Sequence, residues 1–180
     1  MKKVLFILGE LSDSDVDWLV EVGDREAVAP GRVLIKEASA IDHVYVILEG
    51  RFGVSVAALS GKEVAQLGCG EIVGEMSLVD QRPPSATVTA LEPGLVLSVP
   101  RREIERKLAQ DMAFSARFHR ALTVFLSDRL RSTVSRLGYG QSGPMDQETE
   151  YEDELDMGVL DKAALAGARF DWLLKRMKGA

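Results

Sequence analysis

Between Asp24 and Pro100 the chain is cut into short β-branched runs by glycine and proline, and this punctuation narrows its fold more than any other feature. REAVA (Arg25–Ala29) stops at Pro30-Gly31, a strong turn pair, and RVLIKEA (Arg32–Ala38) follows. HVYVILEG (His43–Gly50) and RFGVSVAAL (Arg51–Leu59) read as a strand pair hinged at Glu49-Gly50. Ser60-Gly61 reads as a second hairpin turn leading into KEVAQLG (Lys62–Gly68). A strand near Ser85–Leu91, a Glu92-Pro93-Gly94 turn and LVLSVP (Leu95–Pro100) complete the region. About eight short strands at close spacing predict an antiparallel sandwich or roll. The alternating long helices of a parallel α/β fold are missing from this stretch.

Helical patterns flank the strands. SDSDVDWLVEVG (Ser12–Gly23) reads as a short helix that Ser12, Asp13 or Ser14 can cap, with Asp15 and Asp17 at its positive end and Gly23 as a stop. RREIERKLAQD (Arg101–Asp111) is a second. A long amphipathic helix follows over about Met112–Leu137, its apolar positions Phe114, Phe118, Leu122, Phe125, Leu126, Leu130, Val134 and Leu137 stepping by three or four. The fold class expected is therefore α+β, mainly β: an antiparallel β-roll or jelly roll of about eight strands flanked by N-terminal and C-terminal helices. With 46% hydrophobic residues in 180, the chain can bury one core.

Beyond Leu137 the pattern weakens. GYGQSGP (Gly138–Pro144) has linker composition, and Asp146–Asp156 carries acids and no base. VLDKAALAGARFDWLLKRMK (Val159–Lys178) reads as an amphipathic helix whose packing partner the sequence does not name. The domains expected are 11–137 for the roll with its long helix, and 138–180 for the acidic linker and terminal helix.

Composition removes several functions. A net charge of −6 argues against broad nucleic-acid binding. A single cysteine, Cys69, and two distant histidines, His43 and His119, provide neither a disulfide framework nor a metal-ligand motif. No nucleophile stands beside a base, so no enzymatic activity is expected. The opening MKKVLFILGEL has too short an apolar run for a signal peptide, and no run is long enough to span a bilayer, so a cytoplasmic protein is expected. Arg117, Arg120, Arg129, Arg131 and Arg136 make one side of the long helix basic. A solvated face is the first reading of that side, binding to the chain's own acidic segment or an acidic partner the second, and DNA the third.

The stretch that carries chemistry is GEMSLVDQRPPSATV (Gly74–Val88). It joins a Gly-Glu pair to a short apolar helical turn, a Pro-rich loop and a β-branched strand. That order suits a small ligand with a phosphate and a sugar. Gly74 lets the backbone come close without a Cβ. Glu75 can accept a hydrogen bond from a ribose hydroxyl. The turn beginning at Met76 and Ser77 offers backbone amides to an anion. Ser85 adds a hydroxyl, Ala86 leaves room, and Arg82 lies on the same loop. Alternatively Glu75 pairs structurally with an arginine, and Pro83-Pro84 stiffens the loop in place of a ligand.

These residues resemble the phosphate-binding cassette of the cyclic nucleotide-binding domain family, which includes the bacterial catabolite activator, regulatory subunits of protein kinase A and gating domains of some ion channels. The family pattern is Gly-Glu-x-Ala-Leu, a variable loop, then Pro-Arg-Ala-Ala-Thr-Val. Gly74, Glu75, Leu78, Pro83, Ala86, Thr87 and Val88 match it, and Ser77 and Ser85 are small replacements for alanine. The resemblance extends over about Leu11–Leu137, including GRVLIKEASAIDHVYVILEGRFGVSV (Gly31–Val56) and the two helices after Pro100. It implies a regulatory protein that binds cAMP or cGMP as ligand, needs no cofactor, and signals through the long helix. The ligand contacts it implies are Gly74, Glu75, Met76, Ser77, Arg82, Ser85 and Ala86. One departure stands at the centre: Pro84 occupies the position of the phosphate-clamping arginine. Losing that charge-assisted bond costs about 1.5–3 kcal/mol, or roughly tenfold to over a hundredfold in affinity. An alternative is therefore an interaction module whose pocket takes no nucleotide. The partners expected are a second copy of the chain through Met112–Leu137 and another protein. The transcription regulators of this family carry a helix-turn-helix unit after the long helix. The 43 residues after Leu137 show no two-helix pattern of that kind, so direct DNA binding is not expected.

Overall fold

The computed structural model describes residues 4–138 and 157–179. The acidic run and most of the Gly-rich linker lie outside the described residues, as do the side chains of Arg136 and Leu137.

The chain opens with α1 (Val4–Glu10) and α2 (Asp13–Val22). Eight strands follow: β1 (Asp24–Val28), β2 (Val33–Ile35), β3 (His43–Glu49), β4 (Phe52–Ser55), β5 (Glu63–Leu67), β6 (Ile72–Val73), β7 (Thr87–Ala90) and β8 (Gly94–Pro100). A six-residue helix, α3 (Glu75–Asp80), lies between β6 and β7. Three helices close the chain: α4 (Arg101–Gln110), α5 (Met112–Gly138) and α6 (Met157–Lys178). The strands form two four-stranded antiparallel sheets, in the order β1-β8-β3-β6 and β2-β7-β4-β5. This is the roll expected from the sequence.

One expectation changes, and one element is added. β3 and β4 do not pair across Glu49-Gly50; they belong to different sheets. Gly50 turns the corner at φ +88, with the space of a Cβ filled by Gly94 Cα at 2.8 Å and Pro93 O at 2.9 Å. The opening apolar run is a helix, α1, which the sequence reading left unassigned. β4 and β5 do pair, through a loop holding a 3₁₀ turn at Ala57–Leu59.

In the first sheet the central strands β3 and β8 are buried on both faces, which explains why they read as nearly continuous apolar runs. Val44, Val46, Leu48, Leu95, Leu97 and Val99 face the helices, whereas Ile47 and Val96 face the second sheet. Between the sheets Phe52, Val54, Val88 and Ala90 complete a smaller core. The helical core joins Ile7, Leu8 and Leu11 to Val16, Leu19 and Val20 of α2, and to Phe114, Phe118, Leu122 and Phe125 of α5. Ala166, Phe170, Leu173 and Met177 of α6 belong to the same core. That supplies the packing partner the sequence could not name. Each fully buried phenylalanine or leucine contributes about 1.5–3 kcal/mol.

α2 starts as its sequence predicts. Ser12 Oγ accepts from the Asp15 amide at 3.3 Å, and the Asp15 carboxylate accepts from the Ser12 amide at 2.8 Å, a reciprocal cap. Gly23 ends α2 with φ −92 rather than a left-handed cap. It is small for another reason: a Cβ there would lie 2.6 Å from Leu97 Cδ1.

Candidate functional site

The residue that caps α3 is held by a constraint that only glycine satisfies. Gly74 has φ +92, and a Cβ on it would lie 2.9 Å from the His43 carbonyl oxygen and 2.8 Å from Ile41 Cδ1. The glycine thus serves close packing on β3. The sequence reading had assigned it to close approach of a ligand.

Beside Gly74 opens a cavity of about 250 Å³, slightly below the usual range for ligand pockets. Its floor takes one residue from each strand of the second sheet: Ile35, Val88, Val54 and Leu67. Ile35 and Val54 both pair in register with Val88, so three of them form a row across the sheet. The walls are Gly74 with Glu75, Met76 and Ser77 of α3, the loop Arg82–Ala86, and Arg129 of α5. All seven residues singled out from the sequence, Gly74, Glu75, Met76, Ser77, Arg82, Ser85 and Ala86, line this one cavity. Six residues make α3 too short for a substantial dipole, so formal charge matters more here than the helix end.

The Pro-rich loop is fixed from behind. The Ala38 amide donates to the Pro84 carbonyl at 2.9 Å, and the Glu37 amide donates to Thr87 Oγ1 at 3.1 Å. Proline at position 84 thus presents a tied-down backbone and no cation. Arg82 does not fill the gap. Its side chain is 84% exposed and lies 4.0 Å from Asp80 Oδ2.

The charge inside the cavity comes from an unexpected place. Glu75 is 2% exposed, and Arg129 Nη1 donates to its Oε1 at 2.5 Å from 54 residues away. Burial pushes the Glu75 carboxyl above the usual carboxylate range, while the Arg129 charge and hydrogen bond work against that. The guanidinium also sits 6.0 Å from the Phe125 ring.

The same arrangement occurs at the other buried carboxylate among the described residues. Asp15 is 2% exposed and receives Arg117 Nε at 2.7 Å and Nη2 at 3.1 Å. Burial opposes its ionisation, but Arg117 and the two Ser12 bonds together hold its carboxyl below the usual range. Arg120 pairs with Glu10 at 3.0 Å. The basic side of α5 is therefore not simply a solvated face: three of its arginines reach acids on α1, α2 and α3. Phe114, Phe118, Leu122 and Phe125 bury the first half of the apolar stripe as expected, but Leu130 and Val134 are exposed. Cys69 is half-buried against the helical core, a packing position.

Among the described residues no group of three or more His, Cys, Asp or Glu is placed to hold a metal, and no helix is long and apolar enough to cross a membrane.

The family model for the cyclic nucleotide-binding domain matches residues 25–111, which contain the cavity floor, α3 and the Pro-rich loop. The chain is 46% identical over 82 residues to the Pycsar effector protein PaPycTIR of Pseudomonas aeruginosa, covering 45% of this chain and 26% of that one. It is 30% identical over 122 residues to a cAMP-dependent protein kinase regulatory subunit of Neurospora crassa, covering 62% and 32% respectively. It thus spans between a quarter and a third of the length of these relatives. In structure it is similar to a cyclic nucleotide-binding domain from Methylobacillus flagellatus, with a TM-score of 0.68 at 24% identity over 80% of this chain and 85% of that one. At that identity the likeness carries the fold alone.

Proposed function

Because residues 25–111 match the cyclic nucleotide-binding domain family, we propose that this chain is a regulatory module that binds a cyclic nucleotide in the Gly74–Ala86 cavity and passes the event to α5. The observation that carries this reading is the cavity itself. Apolar residues of the second sheet form its floor, a buried carboxylate and a small hydroxyl residue stand at its wall, and a helix leading away from the roll reaches into it. Glu75 accepts from the ribose hydroxyl, the Gly74–Ser77 backbone and Ser85 meet the phosphate, and the apolar floor takes the less polar face. α5 is the output because Arg129 joins it to Glu75. Exposed Leu130 and Val134, one helical turn apart, provide the seam for pairing with a second copy.

Isothermal titration with cAMP and cGMP tests the reading. The described lining names no group that selects a base, so cyclic CMP and cyclic UMP belong in the same series. Saturable heat at micromolar to low-millimolar ligand supports it, since the missing arginine at position 84 lowers affinity about tenfold to over a hundredfold. No heat from any of the four at millimolar concentration removes it. Pro84 favours a second reading, an interaction module on the same roll; it expects that null titration together with a dimer in sizing experiments.

A further inference from the structure

We propose that Arg129 is the cation that pairs the ligand's phosphate in this chain, supplying from α5 the charge that position 84 lacks. The inference rests on the reading of the cavity as a cyclic nucleotide site. A phosphate taken into a partly closed, apolar-floored cavity requires a compensating formal charge, because a poorly paired buried ion is strongly destabilising. Among the described lining residues two side chains carry positive charge, Arg82 and Arg129. Arg82 points to solvent, 84% exposed, beside Asp80. Arg129 is one-third exposed, stands against the buried ring of Phe125, and already contacts the carboxylate at the cavity wall.

A guanidinium fork can serve a carboxylate and an anion together. In the structure Arg129 compensates Glu75. With ligand present, Glu75 takes the sugar hydroxyl and Arg129 turns part of its fork to the phosphate. An arginine on the cassette loop would clamp the ligand within the roll. An arginine on α5 makes the ligand a strut between roll and helix, so occupancy and helix position depend on each other.

The test compares wild type, Arg129→Gln, Arg129→Lys, Arg82→Ala and the double variant Arg129→Gln/Pro84→Arg. Each is titrated with the cyclic nucleotide that binds wild type most tightly and, by competition, with the corresponding nucleoside, which has no phosphate. Arg129→Gln is expected to weaken the cyclic nucleotide at least about tenfold more than it weakens the nucleoside. Arg129→Lys keeps the charge without the fork and falls between the two. Arg82→Ala stays within twofold, and Pro84→Arg restores binding in the Arg129→Gln background. Thermal unfolding with and without ligand confirms that each variant is folded. Cyclic nucleotide binding within twofold of wild type in Arg129→Gln overturns the assignment, and so does an equal loss for nucleotide and nucleoside. A wild type that binds none of the four nucleotides fails the site reading itself, an outcome distinguishable from a failure of Arg129 alone.

Discussion

Replacing Gly74 by alanine separates two demands that glycine meets at the start of α3. The first is conformational: φ +92 costs an L-residue about 1–2 kcal/mol. The second is steric. The new Cβ would lie 2.9 Å from the His43 carbonyl oxygen and 2.8 Å from Ile41 Cδ1. The isoleucine tip can turn aside, but the His43 oxygen belongs to β3, which is hydrogen-bonded to β8 and β6 and cannot yield without moving the sheet. Overpacking of this kind costs about 1–3 kcal/mol, so the total loss expected is about 2–5 kcal/mol.

Gly61 provides the control. It has φ +71 and nothing within 4 Å of an added Cβ, so Gly61→Ala meets the conformational cost alone. The entropy that alanine removes from the unfolded chain is common to both variants and cancels in the comparison. Urea denaturation reads the difference. With a slope of about 2 kcal/mol/M, the Gly74→Ala midpoint should lie about 0.5–1.5 M below that of Gly61→Ala. Coincident midpoints would refute the close approach of α3 to β3 as a constraint on this residue.

Arg117→Ala leaves the 2%-exposed Asp15 carboxylate without its guanidinium and should cost about 3 kcal/mol or slightly more by urea denaturation; an unchanged midpoint would show that the Ser12 cap suffices. Asp15 has its folded pKa held low, so it adds stability above its unfolded pKa that is lost as pH falls through the folded value; Asp15→Asn should flatten the acid limb of a stability–pH profile. Glu75 has the opposite sign: its raised folded pKa gives a contribution present at low pH and lost as pH rises through that value, so Glu75→Gln should remove a decline that wild type shows above the usual carboxylate range. Phe170→Ala opens the core shared by α1, α5 and α6 and should cost about 3–5 kcal/mol in the same assay; a change under about 0.5 kcal/mol would place α6 outside the cooperative unit.

The architecture was legible where local rules decide it. Ser12 and Asp15 announce their reciprocal cap, and Gly74–Val88 announces the wall of one cavity because turn, helix start and strand are consecutive in sequence. The partition of β3 and β4 between sheets was hidden, because Glu49-Gly50 has the composition of a hairpin turn and the corner depends on the distant Pro93-Gly94 backbone. β6 has two residues, too few for any period. The chief omission was Arg129, yet a signal for it exists. The buried stripe of α5 steps through Phe114, Phe118, Leu122 and Phe125, and the next step falls on Arg129. An arginine where the period asks for an apolar side chain demands a carboxylate opposite, and Glu75 in a cassette without its own arginine was a candidate.

The placing of the α5 pairs determines how the cavity can act on the helix. Arg117 and Arg120 bind α2 and α1 beside the four anchoring aromatic and leucine side chains, so the first half of α5 is held by apolar burial whatever the cavity contains. Past Phe125, Leu126 packs only partly on the core, and Leu130 and Val134 are exposed. Arg129 therefore stands at the junction between an anchored segment and an unanchored one. A change in its bond to Glu75 moves no large apolar surface, which keeps the cost of rearrangement to that of a few hydrogen bonds, about 1–3 kcal/mol. That is the scale of coupling a small ligand can supply. The same pair placed at Arg117 would have to break the core. On the reading proposed above, a ligand that competes for Glu75 is expected to act on the later half of α5 and to leave the earlier half in place.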